Sequence, residues 1–222
     1  MNKYVLGIDE AGRGPVIGFM IIAGVVVSSE TEKLFLELGV RDSKSLTRSA
    51  REKLFLAIVE ASERVFVKII HPREIDKYVI NRLELEKIIS IIKDSCIALS
   101  KCPDEIYIDA VGDVERNTLY IRRRLGLENI YMEIDAETKH LSVAAASIVA
   151  KVLRDLHIDL LKSILGDFGS GYPSDPQTIK WLEENKDLVE KYKNIFIREK
   201  WETVKRILGS KDIISLDKFF KR

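Results

Sequence analysis

The sequence predicts an α/β fold: a mixed β-sheet flanked by helices, with a helical C-terminal part. Three observations carry this. Short Val- and Ile-rich runs bounded by Gly and Pro recur from residue 3 to residue 134. After the first of these, strand-like runs alternate with segments of helical periodicity. Beyond the Gly/Pro-rich stretch Gly166–Pro176 only helical segments remain, to Leu208.

Taken in order, residues 3–8 and 16–27 read as strands split by a Gly/Pro loop. Ser49 and Glu52 have capping-box spacing and open a helix through Leu54, Leu56, Ile58 and Val59. Arg64–Ile70 alternates as a strand does, and helical stretches follow to about Leu99 with a stripe of Ile88, Ile89, Ile91 and Ile92. Glu105–Ala110 is a short strand, Asp113–Leu125 a helix, and Asn129–Ile134 another strand. The strongest helical signal spans His140–Leu165. Its expected apolar face is Val149, Leu153, Leu156, Leu160 and Ile164, and its small-sided first half, Ala144 to Ser147, suits close packing.

Bulk properties narrow the function classes. At 222 residues and 46% hydrophobic content, the chain fits a globular domain with a sizeable core. No apolar run reaches the roughly 18 residues of a membrane span, and Asp9, Glu10 and Arg13 break any signal-peptide pattern, so a cytoplasmic protein is expected. Cys96 and Cys102 lack metal-site spacing and are expected to be reduced thiols. Net charge is +1, yet residues 186–222 hold eleven Lys/Arg against six Asp/Glu, a net of +5 that leaves −4 for the remainder. Such a basic segment beside an acidic body is compatible with a polyanionic partner and equally with solvated helix faces.

Chemistry concentrates at strand ends. Asp9 and Asp109 each close an apolar run, and Asp135 and Glu137 follow a third. Functional groups in α/β sheets gather at the carboxyl ends of parallel strands. Carboxylates packed there repel one another unless cations intervene, and oxygen-only ligands favour Mg²⁺ or Mn²⁺. Adjacent strand residues face opposite ways, so Asp9 and Glu10 serve one site only if the chain bends at Glu10. The following Ala11-Gly12-Arg13-Gly14 permits such a bend.

With these residues in view, the chain resembles the ribonuclease HII (type 2 ribonuclease H) family, in archaeal-like form. The resemblance rests on GIDEAGRGPVIG (7–18), RDSKSLT (41–47), YIDAVG (107–112), LSVAAASIVAKVLRD (141–155), GSGYPSDPQT (169–178) and IREKWET (197–203), in family order. It implies a ribonuclease-H-like catalytic domain over 1–165, a C-terminal helical extension over 166–212 closing the substrate groove, and a tail over 213–222. It also implies hydrolysis of RNA in RNA/DNA hybrids and of duplex DNA at embedded ribonucleotides, leaving 5′-phosphate and 3′-hydroxyl ends with the help of two divalent ions. Asp9, Glu10 and Asp109 match three of the family's four acids. The family places an aspartate ten residues before the serine that ends the Ala-rich segment. Here that position is Glu137, which is taken as the fourth, with Asp135 as the alternative.

Further roles follow from the resemblance. Gly12, Arg13 and Gly14 match the loop that reads the 2′-hydroxyl, Tyr172 matches a tyrosine stacking beside the junction sugar, and Ser43 and Lys44 are expected on substrate phosphates. In the tail, Leu216, Phe219 and Phe220 share one face of a helical turn and resemble the motif that docks replication enzymes on a sliding clamp, although Ile213 replaces its usual leading glutamine. A monomer is expected. For His140 and the run Arg122 to Arg124, ordinary structural roles are expected.

Overall fold

The computed structural model describes residues 3–40 and 46–209. Their sheet has five strands, β1 (Tyr4–Ala11), β2 (Met20–Ser28), β3 (Arg64–Ile70), β4 (Glu105–Asp109) and β5 (Ile130–Glu133), in the order β3-β2-β1-β4-β5. Helices α1 (Ser29–Leu38) and α2 (Arg48–Ala61) precede β3. Between β3 and β4 lie α3 (Pro72–Lys77) and α4 (Ile80–Ala98), and α5 (Val114–Leu125) joins β4 to β5. Then come α6 (Leu141–Leu165), α7 (Pro176–Glu184), α8 (Lys186–Tyr192) and α9 (Glu202–Gly209). The mixed sheet with a helical C-terminal part is the architecture expected from the sequence.

The chain divides into two units. The first comprises Met1–Ala11, Met20–Ile69 and Ile80–Asp155 and contains the sheet. β1 runs antiparallel to β2 and parallel to β4, and β4 runs parallel to β5. Every residue of β2 is buried, consistent with its unbroken apolar run MIIAGVVVS. Ala144 to Ser147 of α6 are buried as well. A Cβ on Gly7 would lie 2.1 Å from the Ser142 carbonyl carbon, so only glycine lets β1 lie this close to the start of α6.

The second unit comprises Gly12–Phe19, Ile70–Val79 and the chain from Leu156 onward. The split thus lies inside α6, earlier than the expected boundary at 165/166, and draws in two segments from the N-terminal half. Its core joins Val16, Ile17, Leu161, Phe168, Leu182 and Ile197 with neighbours from α7 to α9.

Several local expectations are corrected. The buried face of the second half of α6 is Val149, Val152, Ile158, Leu161 and Leu165; Leu156, Leu160 and Ile164 are exposed. A second apolar stripe, offset around the same helix, misled the periodicity. The helix α1 was not foreseen, although Ser28 caps it and Gly39 ends it in a left-handed conformation. Thr47, not Ser49, caps α2, its hydroxyl accepting the Ala50 amide at 3.2 Å. Val16–Phe19 is loop, and β2 begins only at Met20. Cys96 and Cys102 form a disulfide: after α4 the chain turns through Ser100, with φ of 57°, which returns the two Cα atoms to 4.0 Å apart. Among the described residues no helix is long and apolar enough to cross a membrane.

Candidate active site

The parallel pairing of β1 and β4 stops just short of two aspartates. The last paired rung of β1 and β4 is Ile8 with Ile108, which puts Asp9 and Asp109 one step beyond it on neighbouring strands. The expected bend at Glu10 is absent. β1 continues through Ala11, which pairs with Ile21 of β2, and the turn comes at Gly12, with φ of 89°. Asp9 and Glu10 nonetheless line one narrow cavity together with Asp109 and Val111. The Glu10 amide donates to Asp9 Oδ1 at 2.7 Å.

Glu137 arrives from the other side, on a single 3-10 turn, Ala136–Thr138. Asp109 helps to place that turn by accepting the Ala136 amide at 2.9 Å. Asp135 enters it with φ of 53°, a left-handed value that aspartate tolerates, and its side chain is exposed. Glu137 is only 4% exposed. Ser147 Oγ donates to its Oε2 at 2.8 Å and Lys151 Nζ approaches the same oxygen at 3.5 Å, two residues one turn apart on a single face of α6. Of the two alternatives for the fourth acid, the geometry turns Glu137 inward.

Electrostatics couples these acids. Burial pushes the Asp9 carboxyl up from 3.8 to about 7; the neighbouring Ser147 hydroxyl and the Glu10 amide oppose this, while the charges of Asp109 and Glu137 reinforce it. Such strain on a buried acid is what a bound cation relieves. All the donors are carboxylate oxygens, the set that hard divalent ions prefer. Among the described residues no three His, Cys, Asp or Glu side chains already form a group that could hold an ion. The donors therefore suit Mg²⁺ or Mn²⁺ by chemistry and charge, with Lys151 and the Ala136 amide meanwhile offsetting part of the negative charge on Glu137 and Asp109.

The expected substrate residues of the second unit also meet. A Cβ on Gly14 would lie 3.3 Å from Tyr172 Cε1, so the glycine loop and the tyrosine are in contact, and Tyr172 is 38% exposed. The Val16 amide donates to the Gly171 carbonyl at 2.8 Å, stitching the two loops together. Asp175 braces the tyrosine loop: the Ser170 amide and hydroxyl each donate to its Oδ2 at 2.7 Å, and the Ser170 amide leads the causes that lower its pKa to about 2. Ser43 and Lys44, and the tail residues Leu216, Phe219 and Phe220, lie outside the described residues.

Four contributors were missed from the sequence. Ser147 and Lys151 are a polar pair at i and i+4 in an apolar helix, which is a usable signal. Glu84 on α4 is fully buried and lines the same cavity as Asp9 and Asp109; it stands in an apolar stripe, four residues before Ile88. Arg198 is fully buried in the second unit, and nothing local to its sequence announced that. His140 is occupied as an ordinary residue would be, stacked on Tyr107 at 3.7 Å with Nε2 3.3 Å from Glu133 Oε1. Arg122 likewise donates twice to the Ile130 carbonyl.

The sheet order and the acids at its parallel strand ends define a protein of the ribonuclease-H-like nuclease class. A family model described as Ribonuclease HII matches residues 6–204. Ribonuclease HII from Pyrococcus abyssi is 43% identical over 98% of each chain. The crystal structure of ribonuclease H2 from Pyrococcus horikoshii OT3 superposes with a TM-score of 0.79 at 39% identity, covering 93% of this chain and 98% of that one. The structure of the PCNA:RNase HII complex from Archaeoglobus fulgidus gives 0.76 at 36% identity, covering 91% and 96%. The chain belongs to the ribonuclease HII family and is a type 2 ribonuclease H.

Proposed function

We propose that this protein hydrolyses the RNA strand of RNA/DNA hybrids, and duplex DNA at embedded ribonucleotides, using two divalent ions held by Asp9, Glu10, Asp109 and Glu137. The observation that carries this reading is the placement of Asp9 and Asp109 one step beyond the last paired rung of neighbouring parallel strands, lining one cavity with Glu10, while Asp109 holds the turn that carries Glu137. When bound, Mg²⁺ or Mn²⁺ supplies positive charge that favours ionisation of the attacking water and stabilises the departing 3′ oxygen. Water adds to phosphorus, the bond to the 3′ oxygen breaks, and a 5′-phosphate and a 3′-hydroxyl result. Within the chain, Ser147 and Lys151 fix the Glu137 carboxylate, and the Ala136 amide fixes Asp109. Gly12, Arg13 and Gly14 bring bare backbone to the sugar, where the 2′-hydroxyl separates RNA from DNA, and Tyr172 stacks beside it. Ser43 and Lys44 are assigned to substrate phosphates.

The test is a labelled DNA duplex containing one ribonucleotide, incubated with Mg²⁺ or with EDTA. Cutting 5′ of the ribonucleotide only when metal is present is expected. Cutting indifferent to the sugar, or undiminished in EDTA, contradicts the reading.

A sliding clamp is the proposed protein partner. The spacing of Leu216, Phe219 and Phe220 supports this, as does the solved PCNA complex of the Archaeoglobus relative. Removing residues from Phe219 onward should spare cleavage while abolishing heat release in calorimetry with a purified clamp; retained binding counts against the assignment.

A further inference from the structure

The Gly12–Arg13–Gly14 loop is held from behind by a residue nearly two hundred positions away. Arg198 is 0% exposed, and its guanidinium donates to the carbonyls of Gly12, of Arg13 at 2.7 Å and of Gly18 at 3.1 Å, with Nε also reaching Gly18 at 3.3 Å. Trp201 Nε1 donates to the Gly14 carbonyl at 3.1 Å, and the guanidinium lies over the Trp201 ring, 5.1 Å from its centroid. Every carbonyl of the three-residue loop is thereby bonded to one of two side chains.

The clamp is itself fixed. The Asp76 carboxylate of α3 accepts the amides of Glu199 and Lys200 at 2.8 and 2.9 Å, and the Arg198 amide donates to the Val16 carbonyl at 2.9 Å. Burying a guanidinium is costly unless its planar fork of donors is filled, and here carbonyl oxygens fill it. A lysine at this place offers a point charge without the fork. A loop containing two glycines has little conformational preference of its own, so its shape is set by whatever grips its carbonyls.

We propose that Arg198, assisted by Trp201, is the positioning residue that sets the glycine loop for ribose recognition, so that substrate selectivity depends on a group that never touches the nucleic acid. This rests on the reading of the loop given under Proposed function.

Arg198→Lys and Trp201→Phe test it; the second removes only the Nε1 donor and keeps a ring beneath the guanidinium. In Arg198→Lys, kcat/KM on a duplex with one ribonucleotide should fall about 10- to 100-fold, the scale of an ångström-level misplacement, against a loss of roughly 3-fold or less on a long RNA/DNA hybrid offering many registers. Trp201→Phe should show a smaller loss with the same bias. Mn²⁺ binding followed by calorimetry should match wild type in both. Equal losses on the two substrates in step with a lowered Tm mean that the clamp is merely structural and overturn the proposal, as does unchanged selectivity. If Arg198→Lys fails to fold, Trp201→Phe decides on the same criteria. A wild-type protein that cuts neither substrate overturns the functional reading itself, and the proposal with it.

Discussion

The acid-bearing sheet edge and the glycine loop lie next to each other in the chain, but opposite means build them. At the sheet edge, regular strands carry Asp9 and Asp109 to neighbouring ends, and the cost is electrostatic: a buried carboxyl held at about 7. In the loop, irregular backbone has no ladder to shape it, and the buried Arg198 and the half-buried Trp201 grip its carbonyls instead. The first region holds an acid against burial and the charge of its neighbours. The second has its carbonyls satisfied in place by the chain's own arginine. The difference suggests that the sheet edge should gain stability when its chemistry is removed, whereas the loop should lose selectivity when its support is removed.

The largest expected effect breaks the link between stability and activity at the sheet edge. Asp9→Asn should lower cleavage by about 1000-fold or more while raising Tm. The sign follows from linkage. Folded Asp9 keeps its proton up to about pH 7, while in the unfolded chain it is lost near the ordinary 3.8. Wild-type stability in EDTA should therefore fall as pH rises from about 4 to 7, and level off above. The difference amounts to about 4 kcal/mol at neutral pH, and the Asn variant should lack that part of the slope. A variant with wild-type turnover, or with the same slope, contradicts the assignment of Asp9.

Next in size, Tyr172→Ala should cost about 10-fold or more on a single-ribonucleotide duplex and clearly less on long hybrids, because stacking beside one sugar matters most where only one register exists. Equal kinetic losses on the two substrates would place Tyr172 outside sugar reading. The smallest effect concerns neither region directly. Cys96→Ser opens the short loop that leads into β4, and should cost about 2 kcal/mol of stability by urea titration with no change in kcat. A kcat change would mean that the loop helps to place Asp109.

How much of this was legible in the sequence follows the same division. Strand-end acids could be read because apolar runs mark strands and a strand's end fixes where its last residue sits. Counting back from Ser147 selects Glu137; the structure buries that side chain and leaves Asp135 exposed. The bend expected at Glu10 was wrong because Ala11 still has Ile21 to pair with, a fact held in the partner strand. The face of α6 was misjudged because two apolar stripes share that helix, and only packing selects between them. Arg198 was invisible for a stronger reason: its partners are backbone carbonyls of residues 12 to 18, and carbonyls leave no mark on a sequence. The disulfide needed a turn at Ser100 that no spacing rule encodes.

The most direct test of the central claim is anomalous diffraction from crystals soaked in Mn²⁺. The account predicts Mn²⁺ peaks bounded by Asp9, Glu10, Asp109 and Glu137, drawn together around them. Peaks confined to other carboxylates, with Asp9 and Asp109 left as they stand, would contradict it.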